Sequence, residues 1–578
     1  MRKNTNIILL FIGLTFFSCE KFLEPKIDGT LSEGQVLNDP VYAEGILLRA
    51  YVLLPDDYNF GNDVASDDAV TNDLQSTYRR MATGEWKASF YPGQAWTSAY
   101  EQIYYTNKFL LIYNDVLWAR DPRLSAEVNA FKNALYKKRM KGEAYGLRAY
   151  AKARLLQYHG GATESGELLG YPIVSPGLSS AGDWKLPRAT FQESVNDIFR
   201  DCDSAIANLP LIWKDLLTTS GYPPENVHLN TAYQGVKYLN RINGSAVRAI
   251  KAQVALLAAS PAFSASSGVT YADAATIAGS LLDTLGTLYN NSVTYYKEIS
   301  NKEMIWHRAR VSKRTWEQNN FPPSLYGYGR TNPSQNLVDA FPMSNGYPIS
   351  HASSGYNADN PYAGRDNRFR EYIIYNNAIF KGATIGTYEG AAQNGINMGD
   401  YATRTGYYLK KFMLEGVSVN PGSPLSTNHT YTLLRMTELL LNYAEAANEA
   451  WGPTADPNGY GFSAKVKIGE LRARAGIGGG DPYLASITTT EGLRDLIRNE
   501  RRVSLCFEGF RFWDIRRWND VVTMKAPVKS MHITQVDGVV TDYNVTDVED
   551  REYTDHMIYG PVPYNETLKY NLIQNKGW

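Results

Sequence analysis

The chain has 578 residues, with 58 basic and 59 acidic side chains and a net charge of −1. That length is ample for a large core, and a charge balance this even, with neither half visibly basic, excludes a nucleic-acid partner. Beyond the N-terminus no uninterrupted apolar run reaches the roughly 18 residues that mark a membrane-spanning helix. In chain order, the first element is an export signal over residues 1–18. Arg2 and Lys3 precede an apolar run from Ile7 to Phe17, then Ser18-Cys19. The run is shorter than the roughly 20 residues a spanning helix needs, so a cleaved signal is expected. Cys19 stands where bacterial lipoproteins carry their lipid. Phe16-Phe17-Ser18 departs from the usual small-residue pattern before that cysteine, and a plain secretory peptide is the alternative.

The next stretch reads as helices. Asp39-Pro40 opens one that runs to Leu54, with proline at the first helical position, and a second spans about Gln94 to Tyr113. After Ser125, the residues Met140, Ala144, Leu147, Ala151, Leu155 and Tyr158 recur at helical spacing, and Gly160-Gly161 ends the stripe. Thr190 and Glu193 form a capping box. Ser245–Ala259 is alanine-rich, and Tyr271–Leu285 is its expected antiparallel partner. Between about 286 and 430, Tyr, Gly, Asn and Pro dominate and helical periodicity fades, with short strands expected near Gly406–Phe412. Helices resume at Leu433–Ala450, 463–475 and 489–507. The expected fold is therefore mainly α. An irregular tetratricopeptide-like scaffold (about 37–285 and 430–520) carries a loop-rich insertion (about 286–430), and a mixed C-terminal segment (521–578) completes one unit over residues 19–578.

No catalytic or metal constellation emerges. No two of the seven histidines lie within five residues of each other, so the paired-ligand spacing of a zinc helix is missing. There is no nucleophile elbow and no phosphate loop. Asp63, Asp67, Asp68 and Asp73 cluster in an early loop without the calcium-loop pattern; a solvated or ligand-facing loop is expected there. With Cys19 assigned to lipid, Cys202 and Cys506 remain. Both are expected as buried free thiols, a disulfide being the alternative. The reading is of a protein that uses no cofactor, no metal and no catalysis.

Residues 494–518 run Arg-Asp-Leu-Ile-Arg-Asn-Glu-Arg-Arg-Val-Ser-Leu-Cys-Phe-Glu-Gly-Phe-Arg-Phe-Trp-Asp-Ile-Arg-Arg-Trp. This resembles the signature of the SusD/RagB-like outer-membrane nutrient-binding lipoproteins of Bacteroidetes-type bacteria. Further segments are similar in order: Arg241–Leu257, Pro333–Phe341, Arg365–Phe369, Thr405–Tyr408, Leu434–Ala446 and the terminal Gln574-Asn575-Lys576-Gly577-Trp578, where Lys576 replaces the family's proline. The charged residues Glu500, Arg501, Glu508, Arg511, Asp514 and Arg516 could be taken for acid–base machinery; a buried network of forked ion pairs is the expected reading. The resemblance implies a lipid-anchored, cell-surface protein of the outer membrane that binds a glycan and delivers it to a SusC-like TonB-dependent transporter. A peptide-import role, a surface glycosidase and a purely structural partner of the transporter are the alternatives. Sugars present apolar C–H faces and a hydroxyl rim, which aromatic platforms with polar flanks suit. Two stretches carry such residues: Tyr78, Arg79, Arg80 and Trp86, and then Trp306, His307, Arg308, Trp316, Tyr326 and Tyr328. The ligand-binding candidates are Tyr78, Trp86, Trp306, Trp316, Tyr326 and Tyr328, with Trp96 assigned to the core.

Overall fold

The structure, a computed structural model, describes residues 37–58, 60–177 and 184–578. The expected export signal and Cys19 lie outside the described residues. Helices of seven residues or more are numbered α1 (Pro40–Val52), α2 (Trp96–Ile112), α3 (Ala126–His159), α4 (Phe191–Ile206), α5 (Gly244–Ala259), α6 (Tyr271–Leu285), α7 (Met436–Trp451), α8 (Ala464–Arg474), α9 (Thr490–Leu505) and α10 (Arg511–Arg517). Most begin where a side chain takes up the free N–H groups of the first turn. Asp39 accepts from the N–H of Val41 and of Tyr42 at 3.0 and 3.1 Å. Thr190 with Glu193 and Thr270 with Asp273 form capping boxes that open α4 and α6. Asn243 accepts from Ala246 N–H at 2.8 Å at the start of α5.

Packing follows chain order: α1 on α2, α2 on α3, α3 on α4, α4 on α5, α5 on α6, α6 on α7, and α7 on both α8 and α9. Small buried residues at the contacts, among them Ala144 and Ala151 of α3 and Ala246 and Ala255 of α5, let the helices approach closely. This is the irregular tetratricopeptide-like scaffold expected from the apolar stripes. A second core of Phe321, Phe341, Tyr372, Tyr407 and Phe412 organises the Tyr- and Gly-rich region.

That region differs from the expectation in two ways. It contains three short helices, Thr315–Asn320, Gln335–Ala340 and Asn367–Tyr372, each too short to display a 3.6-residue period. Of the strand expected over 406–412, only Tyr408–Leu409 forms, paired with Ile373–Ile374. The helix expected from Leu433 begins at Met436 instead. Thr432–Arg435 is a strand antiparallel to Met304–His307, and its backbone groups are taken by that ladder. Among the described residues, every sheet is a two-stranded pair; the longest is the hairpin Val528–Val536 with Val539–Glu549.

The 494–518 motif forms the buried ion-pair network. Glu500 accepts from Arg368 and Arg472, both at 2.7 Å. Arg501 and Arg517 donate to the two oxygens of Asp514 at 2.7 and 2.8 Å, and Arg517 also grips Glu445. Glu508 accepts from Lys411 and Arg435 at 2.7 and 2.8 Å. Burial alone would raise the Glu500 and Glu508 carboxyls, yet the guanidiniums of Arg368 and Arg435 and their companions hold both below the usual range. Arg516 has another role: it donates to the backbone oxygens of Met557 and Phe512 and lies 3.5 Å over the Phe512 ring. Together these side chains tie α9 and α10 to each other and to distant segments, so the motif works as a junction.

Three of the four early aspartates join the same junction and are not solvated, whereas Asp73 is half-buried beside an open groove. Asp63, Asp67 and Asp68 are buried. Asp63 accepts from Phe507 N–H at 2.9 Å, Asp67 from Arg511 at 2.8 Å, and Asp68 from Arg502 at 2.7 Å. Burial and the neighbouring Asp68 carboxylate push Asp63 well up. Cys202 and Cys506 are free buried thiols, and burial pushes Cys506 up to about 12.

Candidate ligand-binding groove

The two aromatic stretches meet through one strand pair. Ala69–Thr71 runs antiparallel to Thr331–Pro333, with Thr71 opposite Thr331. Continuing the ladder by one residue places Asn72 beside Arg330, whose Nη1 donates to Asn72 Oδ1 at 3.2 Å. The Asn72 amide in turn donates to the backbone oxygens of Tyr328, Gly329 and Ala402 at 2.9, 3.0 and 3.2 Å. Gly329, at φ +52°, makes the turn between Tyr328 and Arg330. One asparagine thus fixes three chain segments around one point.

Beside this pair lies an open groove of about 500 Å³, lined by Asp73, Tyr78, Trp316, Asn319 and Arg330 among others. Outside that lining, Arg330 reaches an aromatic pair: the rings of Tyr328 and Tyr401 lie 4.8 Å apart at 34°. The Arg330 guanidinium stands 5.5 and 5.3 Å from these two ring centroids. No carboxylate lies within ion-pair distance of Arg330 among the described residues, so its charge faces the rings and Asn72. Tyr401 is 44% exposed. Tyr78 packs where Gly61 and Gly93 leave room for its ring. The site combines adjacent ring faces, a guanidinium, an amide and a carboxylate on an open surface, which suits a ligand with an apolar face and a hydroxyl rim.

The six candidates fall in different places. Tyr78 and Trp316 line the groove, and Tyr328 lies outside the lining, joined to it through Arg330. Trp316 is mostly buried; its indole N–H donates to Asp57 Oδ1 at 2.6 Å and the Lys313 ammonium lies 4.3 Å from its ring centroid. Tyr326 is exposed, in a left-handed turn at φ +65°, and lies outside the groove lining. Trp306 is fully buried on the Met304–His307 strand, with its indole N–H on Asn240 O at 3.3 Å. Trp86 is 2% exposed, enclosed by Tyr91, Phe512, Tyr553 and Trp578. These two indoles present no face to solvent, because the hydrophobic effect on so large a ring favours enclosure wherever a pocket of apolar neighbours exists. Arg79 and Arg80 are engaged by Glu549 and Glu85, and Arg308 donates to Tyr51 O at 2.9 Å. Asn72, Arg330 and Tyr401 were not singled out by sequence. Arg330 closes the run Tyr326-Gly-Tyr328-Gly-Arg330, a signal that was available; Tyr401 sits among Gly and Asp with none.

No group of three or more His, Cys, Asp or Glu side chains is placed to hold a metal among the described residues. No helix among them is long and apolar enough to cross a membrane.

Residues 296–578 match the family model described as the SusD family, and residues 38–221 match one described as starch-binding associating with outer membrane. A SusD-like protein of Formosa agariphila is 32% identical over 121 residues, a stretch that is 20% of this chain and only 22% of that relative. Among solved structures, a SusD-like protein of Bacteroides fragilis superposes with a TM-score of 0.72 at 21% identity, over 95% of this chain and 99% of that one. A SusD-like carbohydrate-binding protein of the same species gives 0.69 at 20% identity, over 92% and 98%. At these identities the solved structures establish a shared fold.

Proposed function

The chain belongs to the SusD family, and from that premise we propose that it is a lipid-anchored protein of the outer-membrane surface that captures a glycan and passes it to a SusC-like TonB-dependent transporter. The capture site is the groove. The observation that carries this reading is the Tyr328–Tyr401 pair under the guanidinium of Arg330, a residue that also lines a groove of about 500 Å³. Tyr401, exposed, and Tyr328, half-buried, offer two adjacent rings tilted by 34° to the apolar face of a sugar unit. Arg330, Asn319 and Asp73 stand where hydroxyl groups would project. The family's naming of one group as starch-binding and of one solved relative as carbohydrate-binding supports the same ligand class.

Binding is the whole task in this reading. The most acidic part of the chain near the groove, Asp63 to Asp68, is committed to buried contacts with Phe507, Arg511 and Arg502 and serves the scaffold. The test is calorimetric titration of the purified protein against a panel of polysaccharides and a peptide digest, with reducing-sugar release followed on the same samples. Saturable binding of one glycan class without release, weakened in Tyr401→Ala, supports the reading. Peptide binding alone, or sugar release, overturns it.

A further inference from the structure

A second cavity, of about 260 Å³, shares Asp57 and Tyr58 with the groove as lining but is built mainly from the helical scaffold. Helix α3 supplies Tyr150, Arg154 and Tyr158, α5 supplies Gln253, and α7 supplies Glu438. The charged residues on its wall are almost all satisfied. Arg501 and Arg517 are on Asp514, Glu508 is on Lys411 and Arg435, and Asp57 is on Lys313. Arg154 is the exception. Among the described residues no carboxylate lies within ion-pair distance of it, and its guanidinium sits beside the rings of Tyr150 and Tyr158, 6.0 and 5.8 Å from their centroids. The remaining acid, Glu438, is turned to Gln253, whose amide donates to it at 2.5 Å, and burial pushes its carboxyl up to about 7. Near neutral pH it therefore supplies no full countercharge.

A half-buried guanidinium beside aromatic rings and without an anion gains from pairing with one. Its planar fork matches a carboxylate, and the tyrosine faces suit the C–H face of a sugar ring. The volume, about 260 Å³, lies just below the range of drug-sized pockets, which begins at about 300 Å³, so it admits a single ring and not a chain. We propose that this cavity is a second binding site, taking a small sugar acid of hexuronate size with its carboxylate on Arg154 and its ring against Tyr150 and Tyr158. The site adjoins the groove at Asp57 and Tyr58, and its contact residues Tyr150, Arg154 and Tyr158 lie outside the groove lining.

The experiment is calorimetric titration of the full chain with galacturonate, with galactose and acetate as comparison probes. The expected result is one galacturonate bound per chain, at least about tenfold more tightly than either galactose or acetate. Arg154→Gln removes that preference, while Tyr401→Ala in the groove leaves it intact. A melting curve checks that Arg154→Gln folds. If it does not, Ala153→Leu, which fills the cavity from the next position of α3 without altering the guanidinium, should abolish binding instead. Absence of saturable galacturonate binding, equal binding of galactose, equal binding of acetate, or retention in the folded Arg154 or Ala153 variant each overturns the proposal. Loss in Tyr401→Ala with retention in Arg154→Gln would move the acid to the groove and overturn it too.

Discussion

Trp306 and Tyr401 are the two aromatics whose replacement should separate scaffold from site most sharply. Trp306 is fully buried, meets Tyr150 edge-on at 5.6 Å and donates its indole N–H to Asn240 O. Trp306→Ala removes that ring from a close-packed interior and leaves a cavity, a loss of about 3–5 kcal/mol. For a chain of 578 residues the unfolding entropy is roughly 1.2 kcal/mol/K, so the melting temperature should fall by about 3–4 °C. Tyr401, 44% exposed and beside the Tyr328 ring, should contribute less than about 1 kcal/mol to folding. As half of the binding platform it should contribute about 1–2 kcal/mol to ligand affinity, roughly a tenfold weakening for Tyr401→Ala. Scanning calorimetry and ligand titration on the same two proteins give both numbers. The reasoning fails if Trp306→Ala keeps the parent melting temperature while losing ligand, or if Tyr401→Ala binds as tightly as the parent.

Three further outcomes concern the scaffold. Glu500→Leu strands Arg368 and Arg472, each left with only one carboxylate, Asp366 and Asp481; breaking such a buried pair should cost about 3–5 kcal/mol by chemical denaturation. His159 is buried with its Nδ1 2.7 Å from Pro561 O, and burial lowers it from 6.5 to about 3. The unfolded chain then binds this proton first, so stability falls as pH drops from 6.5 toward 3; between pH 7.5 and 5 the parent should lose about 2 kcal/mol more than His159→Gln. Glu438 has the opposite sign. Burial raises it from 4.5 to about 7, so stability falls as pH rises from 4.5 to 7, by about 3 kcal/mol in all, and Glu438→Gln should remove that slope in melting temperatures taken from pH 5 to 8.

Helices were legible in the sequence wherever a period could develop. α3 has 34 residues and α6 has 15; α3 begins and ends at the caps read from the chain, and α6 spans the residues expected of it. The three six-residue helices between 315 and 372 complete fewer than two turns, so no periodicity exists to be read. Leu433–Arg435 reads as part of the following helix because its apolar residues continue that helix's pattern, whereas the competing ladder partner, Met304–His307, lies more than a hundred residues away. The site divides along the same line. Residue type alone marks aromatics as ligand candidates, yet burial sorts them, and burial is decided by contacts distant in sequence: Trp86 is enclosed by Phe512, Tyr553 and Trp578, none within 400 positions of it. Tyr401 acquires its meaning only through Tyr328 and Arg330, which Asn72 gathers from across the Thr71–Thr331 pairing. In this fold the scaffold is written locally in periods and caps. The groove is written in three segments that become neighbours only when a three-residue strand pair closes.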